Sequence, residues 1–146
     1  MSGEPLSSAL SDPQGHAAGL KPGLRGTARL RVQEEHTAPH LRSGGVPVLA
    51  TPALIALMEW ASRDATDHLL PSGTASVGME IQVKHLAATP VGMEVTAHAE
   101  LIAVEGRALT FKVEAYDAVE RVGQGIHQRF IVDVERFQKR VDQKKC

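Results

Sequence analysis

The hydrophobic pattern of this 146-residue sequence changes its period once, from helical spacing to strand spacing. Between residues 52 and 70, apolar side chains recur every three to four positions, which predicts one amphipathic helix. From residue 75 onwards, apolar and polar side chains alternate, which predicts long strands. Because only one helix is available to cover the sheet, a curved antiparallel sheet wrapped around that helix is the compact solution. The sequence therefore predicts an α+β fold.

Residues typical of helix termini bound the predicted helix. Thr51 is predicted to cap its N-terminus and Pro52 to occupy its first position, where the fixed φ angle of proline is favourable. Pro71 and Gly73 follow the last turn. One strand is predicted before the helix, between residues 26 and 37, and four after it. Their apolar positions are Ala28, Leu30 and Val32; Ala75, Val77, Met79, Ile81 and Val83; Val91, Met93, Val95, Ala97, Ala99 and Leu101; Leu109, Phe111, Val113 and Ala115; and Val122, Ile126, Phe130, Val132 and Val134.

Length and composition indicate one folded unit. With 42% apolar residues, the chain is long enough for one core and too short for two ordinary domains. Residues 1–24 lack periodicity and are predicted to form a flexible arm before a single domain spanning residues 25–146. The 16 Lys and Arg residues balance 17 Asp and Glu residues, which argues against nucleic-acid binding through a broad basic surface. No apolar stretch approaches the roughly 20 residues of a membrane span, so no membrane association is expected.

Metal sites, disulfides and bound cofactors are not expected. The single cysteine, Cys146, cannot form a disulfide within one chain, and this scarcity fits a reducing cytoplasm. His36 and His40 have a four-residue spacing that suits metal ligands only on a helix, and they lie in a predicted loop. Glycine-rich phosphate loops are absent. The basic C-terminal run, residues 138–145, is interpreted as a solubilising tail.

A small set of polar side chains interrupts the apolar pattern. Thr51 and Glu59 lie on the predicted helix, His85 ends a strand, and Arg129 lies on the last strand. Together they offer an orienting hydroxyl, a nucleophile or base, a proton shuttle and an anion partner, which suffices for acyl transfer. Gly78 could present its backbone amide to an oxyanion, because glycine lets a ligand approach the main chain closely.

Each of these residues also has an ordinary structural interpretation. Glu59 falls on a flank of the helix, where a solvated glutamate is common. His85 continues the odd-numbered apolar face of its strand, as a hydrogen-bonded core histidine would. Arg129 is predicted to point outward together with His127 and Ile131, and there it would form a surface ion pair.

Several segments with consistent spacing resemble the fluoroacetyl-CoA thioesterase family of hotdog-fold proteins. The first is residues 51–61, TPALIALMEWA, and the second runs from SVGM at 76–79 to HLAATPVG at 85–92. The later segments VEGR at 104–107 and GQGIHQR at 123–129 match the family pattern too. The resemblance covers about residues 20–140.

This resemblance implies a hotdog homodimer that hydrolyses a short acyl-CoA thioester at sites between subunits, with coenzyme A present only as part of the substrate. It assigns the catalytic positions to Thr51, Glu59 and His85, an amide donor to Gly78 and the active-site arginine to Arg129. The stretch before the helix, residues 41–48, lacks the phenylalanines found in the lid of the fluoroacetyl-specific member, so the acyl group stays unassigned. Long apolar edge strands independently favour a homodimer. Whether dimers pair into tetramers is left open.

Two classes of function remain at this stage. The first is an acyl-CoA thioesterase, and the second is a non-catalytic hotdog module that binds an acyl thioester as a sensor or accessory subunit. Burial of Glu59 beside His85 of a partner chain would favour the enzyme, whereas an exposed Glu59 with His85 packed in the core would favour the binder. A hotdog hydratase is a further alternative, which no residue specifically requires.

Overall fold

One antiparallel sheet of five strands curves around a long helix in the computed structural model, which describes residues 19–145. The strands are β1 (Arg25–Arg31), β2 (Thr74–His85), β3 (Glu94–Glu105), β4 (Ala108–Tyr116) and β5 (Arg121–Asp133). Their order is β1-β3-β4-β5-β2, so β1 and β2 form the sheet edges. Helix α1 (Thr51–Thr66) crosses the sheet, and helix α2 (Val134–Asp142) follows β5. The predicted α+β architecture is confirmed.

Helix α1 packs on the concave face of the sheet through the stripe that its sequence predicts. Leu54, Leu57 and Met58 are fully buried there. The helix comes closest to β1 at Gly26, where a Cβ atom would lie 2.2 Å from the backbone oxygen of Ala61. Only glycine permits this approach, because any side chain would push the helix away from the strand.

The alternation predicted for β3 and β4 is confirmed within the strands themselves. Val91 and Met93, which were predicted to extend it, precede β3, and Val91 is 52% exposed. The helix-facing positions of the two strands are all buried, and they form most of the core on the sheet side. These residues are Val95, Ala97, Ala99 and Leu101 on β3 and Leu109, Phe111, Val113 and Ala115 on β4. The many alanines let the sheet curve closely around the helix, and Phe111 fills the remaining volume.

A β-bulge at Met79 reverses the facing of β2 halfway along the strand. The pairing of β2 with β5 skips Met79, whose side chain is 58% exposed at the sheet edge. Even-numbered residues such as Ser76 and Gly78 face the helix before the bulge, and odd-numbered residues such as Ile81 and His85 face it afterwards. The prediction of one continuous odd-numbered apolar face including Met79 is therefore wrong, because a bulge adds one residue to the period of two.

Strand β5 buries the residues that the sequence predicts to point outward. His127, Arg129 and Ile131 are 1%, 5% and 0% exposed, whereas Ile126 is 44% exposed. The pairing of β4 with β5 is also irregular, because it skips Val122, which is itself buried. Alternation counted from Val122 therefore assigns the wrong face to the rest of the strand.

The packed part of the chain starts before residue 25. Leu20 is only 3% exposed, and the backbone amide of Gly23 donates to the carbonyl of Leu101 at 2.8 Å. Residues 19–24, which the sequence assigns to the arm, thus pack against the sheet. The rest of that predicted arm, residues 1–18, lies outside the described residues.

The basic C-terminal segment begins within a helix. The last strand ends at Asp133, whose carboxylate accepts from the backbone amide of Arg136 at 3.0 Å and caps helix α2. An aspartate at this position satisfies one of the free amides of the first helical turn. None of the helices in residues 19–145 is long and apolar enough to cross a membrane.

Candidate active site

The start of α1 and the end of β2 bring Thr51 and His85 into contact. Oγ1 of Thr51 lies 2.8 Å from Nδ1 of His85, which is hydrogen-bonding distance. Ala50, rather than Thr51, is the N-cap residue of α1, and no side chain caps the helix amides. The capping role predicted for Thr51 is therefore wrong. Its hydroxyl contacts the imidazole ring instead.

The second ring nitrogen of His85 is left without a partner. Nε2 is buried and has no hydrogen bond to any described residue. Burial lowers the pKa of His85 below its ordinary value, opposed by the nearby backbone of Ala87. An unpaired buried nitrogen costs free energy, so this atom is suited to a ligand or water. The residue His85 lines a cleft of about 380 Å³ between Thr51 and the loop from Ala38 to Val48, a volume within the range of small-ligand sites.

A second polar cluster lies further along α1. Oε2 of Glu59 is 3.8 Å from Nη1 of Arg129, and a Cβ atom at Gly78 would lie 2.8 Å from the same carboxylate oxygen. The Glu59 side chain is 40% exposed, whereas that of Arg129 is 6% exposed. Arg129 is thus not in the surface ion pair that its outward prediction implied. The carboxylate rests on the main chain of β2 at Gly78, with a buried cation beside it.

The sequence did not single out two residues that hold this cation. Ser76 accepts from Nε of Arg129 at 2.8 Å through its hydroxyl, and from Nη2 at 2.9 Å through its carbonyl. His127 lies beside it, with Nε2 3.3 Å from Nη1. Their spacing in the sequence could have identified both residues. Ser76 lies two residues before Gly78 and His127 two residues before Arg129, and side chains two residues apart on a strand share a face.

The pKa of Arg129 reflects these surroundings. Burial lowers it from its ordinary value, and the carboxylates of Glu59 and Asp67 act in the opposite direction. Arginine remains charged in proteins, so the cluster keeps a fixed positive charge under a half-exposed carboxylate.

The two clusters are separate within one chain. Thr51 and Glu59 are eight residues apart on α1, which places their backbones about 12 Å apart along the helix axis. The structure therefore brings Thr51 to His85, and Glu59 to Gly78 and Arg129, but it does not bring the predicted residues into one site within one protomer. Within residues 19–145, no group of three or more His, Cys, Asp or Glu side chains is arranged to hold a metal ion.

Comparison with known proteins gives the family. A profile of the fluoroacetyl-CoA-specific thioesterase family matches residues 32–135, a range that contains both clusters. The chain is also 39% identical to the fluoroacetyl-CoA thioesterase of Streptantibioticus cattleyicolor over 132 residues, which cover 86% of this chain and 95% of that protein. The chain belongs to the fluoroacetyl-CoA-specific thioesterase family. These matches confirm the family that the motifs around Thr51, Glu59 and His85 resemble. They also confirm the class of enzyme, a thioester hydrolase.

Solved structures confirm the hotdog fold. The structure of the fluoroacetyl-CoA thioesterase FlK superposes with a TM-score of 0.82 at 39% identity, covering 86% of this chain and 98% of that one. A hot-dog-like protein from Thermanaerovibrio acidaminovorans superposes with a TM-score of 0.78 at 27% identity, covering 84% of this chain and 91% of that one.

Proposed function

We propose that this protein is a homodimer that hydrolyses small acyl-CoA thioesters with Thr51, Glu59 and His85. The observation that carries the proposal is the division of these residues into two partial sites. Thr51 and His85 offer a proton shuttle beside a cleft but no carboxylate. Glu59 offers a carboxylate, but the imidazole in its cluster, His127, already uses both ring nitrogens, on the Glu80 carbonyl and on Arg129. A second copy that supplies the missing half would complete both sites.

The free edge of β2 is suited to such pairing. It is a 12-residue edge strand with the exposed Met79 at its bulge. A twofold axis through Gln82 would align Gly78 of one copy with His85 of the other in an antiparallel pair that again leaves out Met79. Residues opposite each other in such a pair point to the same face, and the bulge places both Gly78 and His85 on the helix side. Glu59 of one subunit would then approach His85 of the other.

The chemistry of this combined site is acyl transfer to water. Glu59 would attack the thioester carbonyl or activate a water molecule, and His85 would carry the proton to the leaving thiol. Thr51 holds the imidazole with Nε2 free for this exchange. The amide of Gly78 would donate to the developing oxyanion, a contribution often worth about 3 kcal/mol.

The site favours a small acyl group and needs no separate cofactor. The cleft beside His85 has a volume of about 380 Å³, and coenzyme A enters only as part of the substrate. The relatives named above are fluoroacetyl-CoA thioesterases. Since residues 41–48 contain no phenylalanine, we propose short acyl-CoA thioesters as the substrate class rather than fluoroacetyl-CoA in particular.

Release of free thiol from a panel of short, branched and aromatic acyl-CoAs tests the activity. Glu59→Gln and His85→Ala should each lower kcat by two or more orders of magnitude and leave the dimer folded, because each removes a positioned acid-base group. Full activity in both variants would refute the site. Absence of turnover on every thioester, together with thioester binding, would point to the binding module instead.

Mixing the two variants tests whether each site is shared between subunits. A heterodimer of Glu59→Gln and His85→Ala chains would contain one intact site if Glu59 and His85 act across the interface. Random reassortment should then restore about 25% of wild-type activity, because half of the dimers are mixed and each has one active site of two. If both residues act within one chain, the mixture will stay inactive.

A further inference from the structure

The guanidinium of Arg129 is largely occupied by the protein itself. It carries five N–H donors. Nε and Nη2 donate to the hydroxyl and carbonyl of Ser76, and Nη1 faces both Nε2 of His127 and the carboxylate of Glu59. With its side chain 6% exposed, this group has little freedom to turn toward a substrate.

The imidazole of His127 is arranged to accept from Arg129. Its Nδ1 lies 2.9 Å from the carbonyl oxygen of Glu80, and because a carbonyl only accepts, Nδ1 carries the proton. In the neutral ring, Nε2 is then the acceptor for Nη1 of Arg129 at 3.3 Å. Burial is the main cause that lowers the pKa of His127, and the charge of Arg129 adds to it, against the Glu80 carbonyl and the Glu59 carboxylate. The ring of Phe111 stacks against the imidazole.

Ser76 links the same cation to the end of α1. Its hydroxyl accepts from Nε of Arg129 and donates to Oδ1 of Asp67 at 3.2 Å. Asp67 in turn pairs with Arg63 at 2.6 Å. The guanidinium is thus held on one side by a serine anchored to the helix end and on the other by a histidine anchored to β2.

We propose that Ser76 and His127 are positioning residues that hold Arg129 as a fixed positive charge against Glu59, and that the enzyme therefore acts on acyl groups without a terminal carboxylate. This inference rests on the proposed function. It makes Glu59, rather than an anionic group of the substrate, the partner of Arg129. Because the guanidinium is occupied by protein groups and the exposed neighbour is Glu59, an anionic acyl group would meet a negative charge.

Acyl selectivity is the first test. Malonyl-CoA and succinyl-CoA should show kcat/KM on the order of 100-fold below neutral acyl-CoAs of matched length, such as propionyl-CoA and butyryl-CoA, because like charges meet at Glu59. A preference of the wild-type enzyme for the carboxylated substrates would show that Arg129 binds the substrate anion, and it would overturn the proposal.

Variants of the two positioning residues are the second test. His127→Leu and Ser76→Ala should lower kcat by about 10-fold or more with KM nearly unchanged, because they loosen a group that acts on Glu59. His127→Gln should retain most of kcat, since its amide can donate to the Glu80 carbonyl and accept from Arg129. Ser62→Ala is the matched control: this buried serine donates only to the Met58 carbonyl within α1, and its loss should leave kcat unchanged.

A double-mutant cycle separates positioning from general damage to the fold. If His127 acts through Arg129, then His127→Leu should cause little further loss of kcat in an Arg129→Ala background. Losses that multiply in the double variant would show that His127 acts independently of Arg129, and they would overturn the proposal.

An NMR measurement keeps the inference independent of activity. In protein labelled with ¹⁵N-arginine, the Arg129 side chain, assigned through Arg129→Lys, should show slow rotation and separate Nη signals. These signals should merge in Ser76→Ala and His127→Leu. A freely rotating guanidinium in the wild type would overturn the proposal, even if the protein is an active thioesterase. Slow guanidinium rotation in a protein without thioesterase activity would count against the proposed function alone.

Discussion

Replacement of Gly78 by alanine should slow catalysis without destabilising the protein. The added Cβ would lie 2.8 Å from Oε2 of Glu59, but 3.5 Å from Cε1 of His127 and 3.6 Å from Nη1 of Arg129. The last two distances are ordinary van der Waals contacts. Only the carboxylate must therefore retreat, by about 0.7 Å if it is to reach a separation of roughly 3.5 Å.

The magnitudes of the two effects differ. The Glu59 side chain is 40% exposed, so its displacement costs little folding free energy, and Gly78 does not have a positive φ that alanine would resist. Alanine also restricts the unfolded chain, which stabilises by about 0.4–1 kcal/mol, so the free energy of unfolding should stay within about 1 kcal/mol of the wild type. A 1 Å misplacement can cost about 100-fold in rate, so kcat should fall by about 10- to 100-fold.

The assay compares thiol release with urea unfolding for Gly78→Ala and for a second glycine variant. At Gly123, an added Cβ would lie 2.9 Å from Cδ2 of Leu54 and 3.0 Å from Cε of Met58, in the core. Gly123→Ala should therefore lose about 1–3 kcal/mol of stability through overpacking while its folded fraction keeps its kcat. If Gly78→Ala retains wild-type kcat while Glu59→Gln is inactive, the carboxylate position described here is not the one used in catalysis.

Three further predictions concern stability and assembly. Leu57→Ala should lower the free energy of unfolding by about 2–5 kcal/mol in urea titration, because this side chain is fully buried against the sheet. Folding lowers the pKa values of His85 and His127, so at acidic pH the unfolded chain binds protons that the folded protein does not. The melting temperature should therefore fall as pH decreases below about 6.5. A higher melting temperature at pH 5.5 than at pH 7.5 would contradict this. Met79→Lys should weaken the proposed dimer in sedimentation, because it places a charge at the open edge of β2, and an unchanged dissociation constant would exclude that edge as the interface.

Much of the fold could be predicted because its signals are local. The stripe on α1, the alternation on β4 and that on β3 as far as Leu101 follow from single periods; the register shift at Ile102 comes only after the buried positions of β3. The errors on β2 and β5 have one cause. Each strand contains an irregularity, at Met79 and at Val122, and neither residue differs in kind from its apolar neighbours. A bulge depends on how two strands align, which a single strand sequence does not encode.

For the candidate site too, part could be predicted from the sequence and part could not. The motifs around Thr51, Glu59, His85 and Arg129 identify chemically useful residues by type and spacing. Their sequence did not predict that Thr51 contacts His85 rather than the helix amides, or that Arg129 is buried. Both outcomes depend on which strand face meets the helix.

The sequence by itself determined the family, the single helix, the strand alternation of the central hairpin and the residue types available for chemistry. Only the tertiary structure decided which of those residues meet, because the two bulges turn Gly78, Arg129 and His127 toward α1 and leave Met79 at the open edge. Sequence position determines which face of the sheet a side chain occupies only while the alternation of the strand is unbroken. Where strand pairing breaks that alternation, the contacts of the whole sheet determine which residues face the helix.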